Sequence, residues 1–598
     1  MTAADHTTPD TTILWPALGE RPEVTGWVQT RTEARVASGG GMAAAKTPLA
    51  TEAGAEMLRA GGNAVDAAVA MGFASGVVEP WGSGLGGGGY MVIQVPGEAA
   101  VVVEYPMVAP AGATPDMFPL AGGTDPNLFG WPNVVESANL IGHRSVAVPG
   151  TVAGLTLALE RYGTKPLAEV MAPAIRYASD GIPVDVSWTY VTARYLAALS
   201  RFPESARVFL PNGAIPYNEQ QLVPTIFRQP DLARTLEAIA AGGRDAFYGG
   251  DVADSIVSHL AGNGSVFAQG DLTGYEARVV PAASASYRGY DVYSPGGATG
   301  GTTLIQSLNI LSGFDLAEHR HNSVAHLHVL AHAFRAAFAD RFAYLADPTY
   351  IDVPLDALLS ADYAAERAMA FAWDRVAPTA SGDRDRLGVT HGLAASIPGY
   401  VTGGSTTHFS AIDGAGMAVS TTQTLLSLFG SAVTAPGTGV LLNNGMMWFD
   451  PEPGRPNSVE GGKRPLSNMA PVVIARDGQA IGSLGASGGR LIMNCNAQIA
   501  MNMVDFGLSG MPAVNAPRID TSTRNLLVSG RLPRQTRDDL ATLGHPVVAL
   551  NEGPGSSQFS SPVGIRRHED GTLSGGADIF YTATAIGVPG SAITEGRD

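Results

Sequence analysis

Gly403-Gly-Ser-Thr-Thr-His-Phe-Ser-Ala-Ile-Asp-Gly-Ala-Gly-Met-Ala-Val-Ser-Thr-Thr-Gln-Thr424 is the stretch on which the reading of this chain turns. Residues 406–412 read as a strand, Asp413-Gly-Ala-Gly416 as a hairpin turn, and residues 417–424 as the returning strand. In simple register Thr406 faces Gln423. A one-residue bulge at Gly416 puts Thr424 opposite Thr406 instead, and glycine suits such a bulge. The strand follows a flexible Gly-Gly-Ser. Self-cleavage of the Ser405–Thr406 bond requires that arrangement, because the Thr406 hydroxyl must reach its own preceding carbonyl and the backbone must bend there. Cleavage would give Thr406 a free α-amine with a pKa of about 8. That amine can act as general base for its own hydroxyl. A Thr-rich β-hairpin with no chemistry accounts for the same residues, since Thr is a good strand former.

Working outward, Gly488-Gly489 precedes a stretch with helical character. Two consecutive N–H groups at a helix start can hold a developing oxyanion, and an ordinary helix-start turn is the plain alternative. Residues 48–78 have helical spacing across a Gly-Gly break, and 90–95 and 100–105 read as strands. Residues 149–260 read as several short helices, 284–294 as strand, and 323–345 as one amphipathic helix. Residues 376–404 read as a long exposed loop, and 406–598 as short strands with Gly turns. Gly84-Leu-Gly-Gly-Gly-Gly89 fits G-x-G-x-x-G, but the order helix, glycines, strand reverses the dinucleotide arrangement. A tightly packed structural turn is expected there. His328 and His332 share a helix face, yet Val329 stands where a zincin needs Glu, so they read as ordinary helix histidines.

The chain has 598 residues, 45% of them hydrophobic, and a formal charge of −17. That acidity argues against nucleic acid as a partner. A single cysteine, Cys495, excludes an intramolecular disulfide framework. Three of the 37 basic residues are Lys (Lys46, Lys165 and Lys463), which reads as compositional bias. The first residues lack a signal-peptide pattern, and no apolar run reaches the ~18 residues of a spanning helix. The expectation is a cytoplasmic protein without membrane partners.

These residues are joined by Gly61-Gly-Asn-Ala-Val-Asp-Ala-Ala-Val-Ala70, Gly86-Gly-Gly-Gly-Tyr-Met91, Val148-Pro-Gly-Thr-Val-Ala-Gly154 and Tyr287-Arg-Gly-Tyr290. Leu442-Asn-Asn-Gly-Met446, Lys463-Arg-Pro-Leu-Ser467 and Ser487-Gly-Gly-Arg490 complete an ordered set. From about residue 39 to 585 the chain resembles the gamma-glutamyltransferase family of N-terminal-nucleophile hydrolases. The resemblance implies an α+β fold, a four-layer αββα sandwich. It implies an arm over 1–35, a large piece 36–405 and a small piece 406–598, the last two building one domain. It makes the chain a zymogen cut before Thr406 into a heterodimer, and allows a dimer of such heterodimers. Thr406 would be the nucleophile, Thr424 the hydroxyl partner of its amine, and Gly488 and Gly489 the oxyanion hole. No metal or organic cofactor is implied.

The family's clamp for the amino acid head group does not match. Pro106 stands at its Arg, Leu426 at its Asn, Met447 at its Asp, and Asn468 at the second of its paired serines, leaving Ser467. Losing the partner of a buried charge costs roughly 3–5 kcal/mol, so glutathione should be a poor substrate. The segment from Phe449 to Lys463 is short, so the mouth is expected to be more open or to be shaped by Met446, Met447 and Trp448. Ser467, Asn468 and Arg490 become candidates for a substrate carboxylate, with a salt bridge at a helix surface or subunit interface as the plain reading of Arg490. The resulting expectation is a threonine-nucleophile amidohydrolase for a small acyl donor, as in branches resembling oxamate amidohydrolase and cephalosporin acylases. One alternative is C–C bond hydrolysis, as in family members of actinobacterial routes to 4-alkylproline units, with a role in antibiotic biosynthesis. A gamma-glutamyl enzyme with a rebuilt pocket and an uncleaved, inactive scaffold complete the set.

Overall fold

Two seven-stranded antiparallel sheets lie face to face, each covered on its outer side by helices. The structure, a computed structural model, describes residues 32–124, 130–218, 223–389, 405–553 and 558–590. Of the arm expected over 1–35, residues 1–31 lie outside the described residues, as does the stretch 390–404 with Gly403 and Gly404, and the end of that arm is corrected, because Ala34 and Arg35 pair with Gly575 and Ser574 as part of a sheet strand. The part of the expected loop that is described, 376–389, contains one short helical turn, Arg384–Leu387.

The strands that build the two sheets are Ala34–Val36 (β1), Gly41–Ala45 (β2), Gly88–Gln94 (β3), Val101–Tyr105 (β4), Arg278–Pro281 (β5), Ala283–Tyr287 (β6) and Tyr290–Ser294 (β7). The chain continues with Ser405–Ile412 (β8), Ala418–Leu426 (β9), Val472–Arg476 (β10), Gln479–Ser487 (β11), Ser561–Arg567 (β12), Leu573–Ala577 (β13) and Thr584–Val588 (β14). The nucleophile hairpin occupies the middle of one sheet, in the order β14-β2-β8-β9-β3-β4-β5. The other sheet runs β1-β13-β12-β11-β10-β7-β6. Strands from both sides of residue 405 are interleaved in each sheet. The stretch 284–294, read as one strand, is a hairpin, because Arg288 and Gly289 both take positive φ and reverse the chain.

Pro48–Arg59 (α1), Ala64–Val78 (α2) and Thr151–Tyr162 (α3) cover the first sheet. The break between α1 and α2 follows from Gly61 at φ +76° and from the Asn63 cap. The Asn63 side chain accepts from the Val65 and Asp66 N–H groups at 2.9 and 3.0 Å, while Asp66 accepts from the Asn63 N–H at 2.7 Å. Every residue of α2 is buried, which explains its lack of a polar face. Gly300–Leu311 (α4) and Leu491–Val504 (α6) cover the second sheet, with Val324–Tyr344 (α5) behind α4.

The expectation for 323–345 is corrected in one respect. The helix is there, but it is buried nearly all round and not amphipathic. Its histidines on the outer side bond to groups inside the helical layer. His328 contacts His545 at 2.7 Å and the Ala372 carbonyl at 2.8 Å, and His332 contacts the Arg367 carbonyl at 2.9 Å. Polar residues spaced as an exposed face are here a second inner face, packed under outer helices. The glycines of 84–89 behave as a structural turn. A Cβ on Gly87 would lie 2.3 Å from the Thr424 carbonyl oxygen, and one on Gly86 2.3 Å from that of Leu441. Among the described residues no helix is long and apolar enough to cross a membrane.

Candidate active site

The hairpin takes the bulged register. Ile412 pairs with Ala418 and Thr407 with Gln423, which one step further brings Thr424 beside Thr406. A second irregularity then pairs Ser405 with Leu426. Gly416 sits at φ +95°, where a side chain is disfavoured. The Asp413 carboxylate accepts the N–H groups of Ala415 and Met417 at 3.0 and 3.1 Å, and that of Ala64 at 3.0 Å. The turn is thereby tied to the start of α2.

The register converges two hydroxyls on one carbonyl. Thr406 Oγ1 and Thr424 Oγ1 each donate to the Ser405 carbonyl oxygen at 2.6 Å, and the hydroxyl oxygens are 3.4 Å apart. Thr424 Oγ1 also accepts the Leu426 N–H at 2.7 Å, which leaves its own proton for Ser405. Leu426 sits at φ +89°, a strained position for a bulky residue, and Phe429 and Ala432 follow at positive φ. Ser405 Oγ donates to the Trp81 carbonyl at 2.7 Å, and Lys46 Nζ donates to the Thr406 carbonyl at 3.0 Å. Behind the strand the Thr407 hydroxyl donates to the Glu79 carboxylate, which lies 3.6 Å from Lys46 Nζ. All of these groups are buried.

Burial sets the electrostatics. It raises the Glu79 carboxyl above the ordinary carboxylate range, against the opposing pull of Lys46. His408, two residues along the strand, is pushed down to about 3 by burial and is held between the Thr422 and Ser410 hydroxyls at 2.9 and 3.0 Å. It is a neutral structural residue.

The glycine pair enters from the facing sheet. A Cβ on Gly485 would lie 2.3 Å from the His408 ring, so β11 crosses β8 in close contact there. The Ser420 hydroxyl donates to the Leu484 carbonyl at 2.9 Å, and the Ser483 hydroxyl to that of Val419 at 2.8 Å. Moving from Ser420 toward Thr424 therefore follows β11 toward its end at Ser487, Gly488 and Gly489. Gly488 and Gly489 have φ +149° and +62°, and a Cβ on Gly488 would lie 2.6 Å from Ser560 Oγ. Arg490 opens α6 with its guanidinium 5.9 Å from the Phe342 ring; burial lowers it to about 10, while the Asp520 carboxylate favours its charge. A helix-surface placement is therefore corrected, because Arg490 is 3% exposed and packs inside the layer.

The altered pocket positions fall into two groups. Leu426, Met447 and Trp448 join the apolar cluster between the sheets. The Met447 thioether takes contacts at 3.1 Å from Ser427 Oγ and Asn444 Nδ2, so sulfur does the accepting that a carboxylate could do. Ser467 and Asn468 are held from behind by Arg341 of α5. Its guanidinium donates to the Ser467 carbonyl at 2.6 Å, to Asn468 Oδ1 at 2.9 Å and to the Thr299 carbonyl at 3.0 Å. Arg341 is fully buried, and burial together with Arg490 lowers it to about 9. A guanidinium only donates, so the Asn468 amide presents its NH2 side away from Arg341. Pro106 contributes its carbonyl to the Tyr275 hydroxyl at 2.7 Å.

Sequence reasoning missed Lys46, Glu79 and Arg341. No sequence signal marked them, although two of the three lysines prove to be buried, Lys46 beside Thr406 and Lys463 on the Pro456 and Ser458 carbonyls. Compositional bias alone does not account for where those lysines fold.

With this geometry in place, comparison with known proteins is informative. The family model described as Gamma-glutamyltranspeptidase matches residues 50–588. The chain belongs to the gamma-glutamyltranspeptidase family. It is 35% identical over 558 residues to the acylase ACY 1 proenzyme of Pseudomonas sp. (strain V22), covering 93% of this chain and 95% of that one. It is 36% identical over 552 residues to the glutathione hydrolase proenzyme of Escherichia coli (strain K12), covering 90% of each. The crystal structure of cephalosporin acylase from Bacillus halodurans superimposes with a TM-score of 0.81 at 28% identity, covering 94% of this chain and 98% of that chain. The α+β sandwich is thus that of the family, and the chain is an N-terminal-nucleophile hydrolase of the proenzyme kind. Relatives of similar identity are named an acylase in one case and a glutathione hydrolase in the other, so family membership leaves the substrate open.

Proposed function

We propose that the chain cuts itself between Ser405 and Thr406, and that the freed Thr406 hydrolyses an amide whose acyl group lacks the gamma-glutamyl head group. The convergence of two hydroxyls on the Ser405 carbonyl carries the first half. Thr406 Oγ attacks the Ser405 carbonyl carbon, and the negative charge develops on the oxygen that Thr424 Oγ1 already touches at 2.6 Å. The C–N bond breaks, its nitrogen takes a proton, and an ester remains on Thr406. Water hydrolyses that ester and leaves Ser405 with a carboxylate and Thr406 with a free amine. In turnover the amine takes the proton from Oγ, Oγ attacks the donor, and Gly488 and Gly489 hold the oxyanion. The leaving amine takes the proton, and water then releases the acyl group. The two pieces stay together as a heterodimer.

Met447 carries the second half. An α-ammonium at that position would meet a thioether already engaged by Asn444 and Ser427, in an apolar surround. Leu426 and Trp448 suit an apolar or compact acyl group, and the Asn468 NH2 and the Ser467 hydroxyl suit an acceptor atom on it. Cytoplasmic hydrolysis of such an amide fits the sequence. The test is a denaturing gel for pieces 1–405 and 406–598, followed by incubation with a panel of acyl anilides and a gamma-glutamyl anilide. The expected result is two bands, an acyl adduct on Thr406 by peptide mapping, and turnover of a non-glutamyl anilide well above the gamma-glutamyl one. Preferred turnover of the gamma-glutamyl anilide would overturn the donor assignment. Cleavage of an acyl ketone with no anilide turnover would replace it by C–C hydrolysis. A single inactive full-length band would overturn the whole reading.

A further inference from the structure

Lys46 and Glu79 form a buried ion pair against the strand that carries Thr406, and neither takes part in the chemistry described above. Lys46 Nζ lies 3.0 Å from the Thr406 carbonyl oxygen. The α-nitrogen belongs to the same residue, so standard bond lengths keep the ammonium within about 7 Å of it. Glu79 makes its hydrogen bond to the neighbouring residue instead, accepting the Thr407 hydroxyl on one oxygen while the other faces Lys46 Nζ at 3.6 Å. The positive member of the pair therefore addresses Thr406 and the negative member Thr407. Lys46 also stands 4.5 Å from the centre of the Tyr581 ring, whose hydroxyl accepts the Trp81 indole N–H at 3.1 Å. Trp81 in turn accepts Ser405 Oγ through its carbonyl, so one buried cluster holds both sides of the bond to be cut.

We infer that Lys46 is a positioning residue that keeps the α-amine of the processed Thr406 unprotonated, with Glu79 as its counterweight. This rests on the reading of that amine as the general base. A nearby cation disfavours a second positive charge, and an amine that stays neutral at lower pH serves as base over a wider range. Among the described residues, the other titratable groups packed around the site are Tyr581 beside Lys46, His408 further along β8, Asp185 near Glu79, and Arg490, just past the end of β11, with Asp520 near it. Burial holds Tyr581 and His408 neutral. Lys46 alone among them places a charge on an atom of Thr406.

The test needs no knowledge of the natural substrate. Purified, processed enzyme is treated with β-propiolactone from pH 5 to 9. Thr406 Oγ attacks the lactone carbonyl, the ring C–O bond breaks, and the alkoxide takes the proton that the amine removed from Oγ. The hydroxylamine-labile ester on the 406–598 piece is followed by mass. Its rate should fall on the acid side as the amine protonates. In K46M, Glu79 loses its partner and takes up a proton, so both charges vanish and the acid limb should move up by about half a pH unit or more. K46R should restore it. E79Q keeps the shape and removes the counterweight, so its limb should move down, and this isosteric variant serves alone if K46M fails to process. Limbs that stay in place while plateau rates fall, or that move the same way in K46M and E79Q, would overturn the inference and leave the Thr406 reading intact. No labile ester in the wild type at any pH would overturn both.

Discussion

At Ser405 one carbonyl oxygen accepts two hydroxyls, and what each hydroxyl does can be separated by deletion. T406A removes the attacking atom, so the chain should run as one 598-residue band and form no acyl adduct. T424V keeps the shape but removes the donor from the oxygen where charge develops. Losing one such donor costs about 10²–10³ in rate, so T424V should process slower by that factor in a gel time course, and unchanged processing would remove Thr424 from the mechanism. The hairpin was legible from a turn and a period of two, which left Gln423 and Thr424 as alternative neighbours of Thr406; the resemblance singled out Thr424. Lys46 was not legible, since it meets Thr406 across 360 residues of sequence. Arg341 is a comparable case. R341M would strand the Ser467, Asn468 and Thr299 acceptors in a buried place, each at roughly 1–3 kcal/mol. It should lower the unfolding free energy by 3 kcal/mol or more (about 10² in the folding equilibrium), as read by urea unfolding. R341K, which restores one donor group, should recover part of that loss.

Between elements, the crossing of β8 by β11 sets where the glycine pair arrives. Gly485 meets the His408 ring with no room for a methyl group, a contact of 2.3 Å for an added Cβ. G485A must therefore part the sheets or displace His408 from the Thr422 and Ser410 hydroxyls. Overpacking of this kind costs about 1–3 kcal/mol, and it should slow acyl transfer more than it destabilises, because Gly488 lies three residues beyond the pivot. Thermal unfolding and adduct formation, measured together, check this; equal and small effects on both would mean that the crossing does not aim the glycines. Periodicity revealed the helices within 48–78, the strands near 90–95 and 100–105 and the nucleophile hairpin in advance, but it did not bound the strands after Leu426 one by one. It misled at Val324–Tyr344, where His328, His332 and Arg335 mimic a solvent face while bonding to carbonyls and rings inside the helical layer. Periodicity records which residues are polar, and only packing records whether water or another helix meets them.

Across the molecule, each sheet is built from strands on both sides of residue 405, so a cut there leaves the two pieces paired in both sheets and they should elute together until denatured. The αββα order was legible through motifs, whereas the state of individual buried carboxyls depends on the finished packing. Asp450 is the clearest case. It lies in the segment from Phe449 to Lys463 and is 1% exposed. Its side chain accepts the Glu452 N–H at 3.0 Å and stands 3.5 Å from Arg455 Nε. Burial nevertheless pushes it up to about 6, against those two contacts. An unfolded Asp titrates near 3.9. Between about pH 4 and 6 the folded chain thus holds more protons than the unfolded one, and stability falls as pH rises through that window. Two units of displacement set a ceiling of about 3 kcal/mol at pH 7 for this one group. D450N cannot titrate and still offers an oxygen to the Glu452 N–H. It should match the parent near pH 4 and exceed it by about 1–2 kcal/mol at pH 7.5. Urea unfolding of D450N in the uncut T406A background, where one covalent chain unfolds, gives the comparison. A stability difference that is the same at both pH values would mean that Asp450 is charged throughout and that its contacts outweigh its burial.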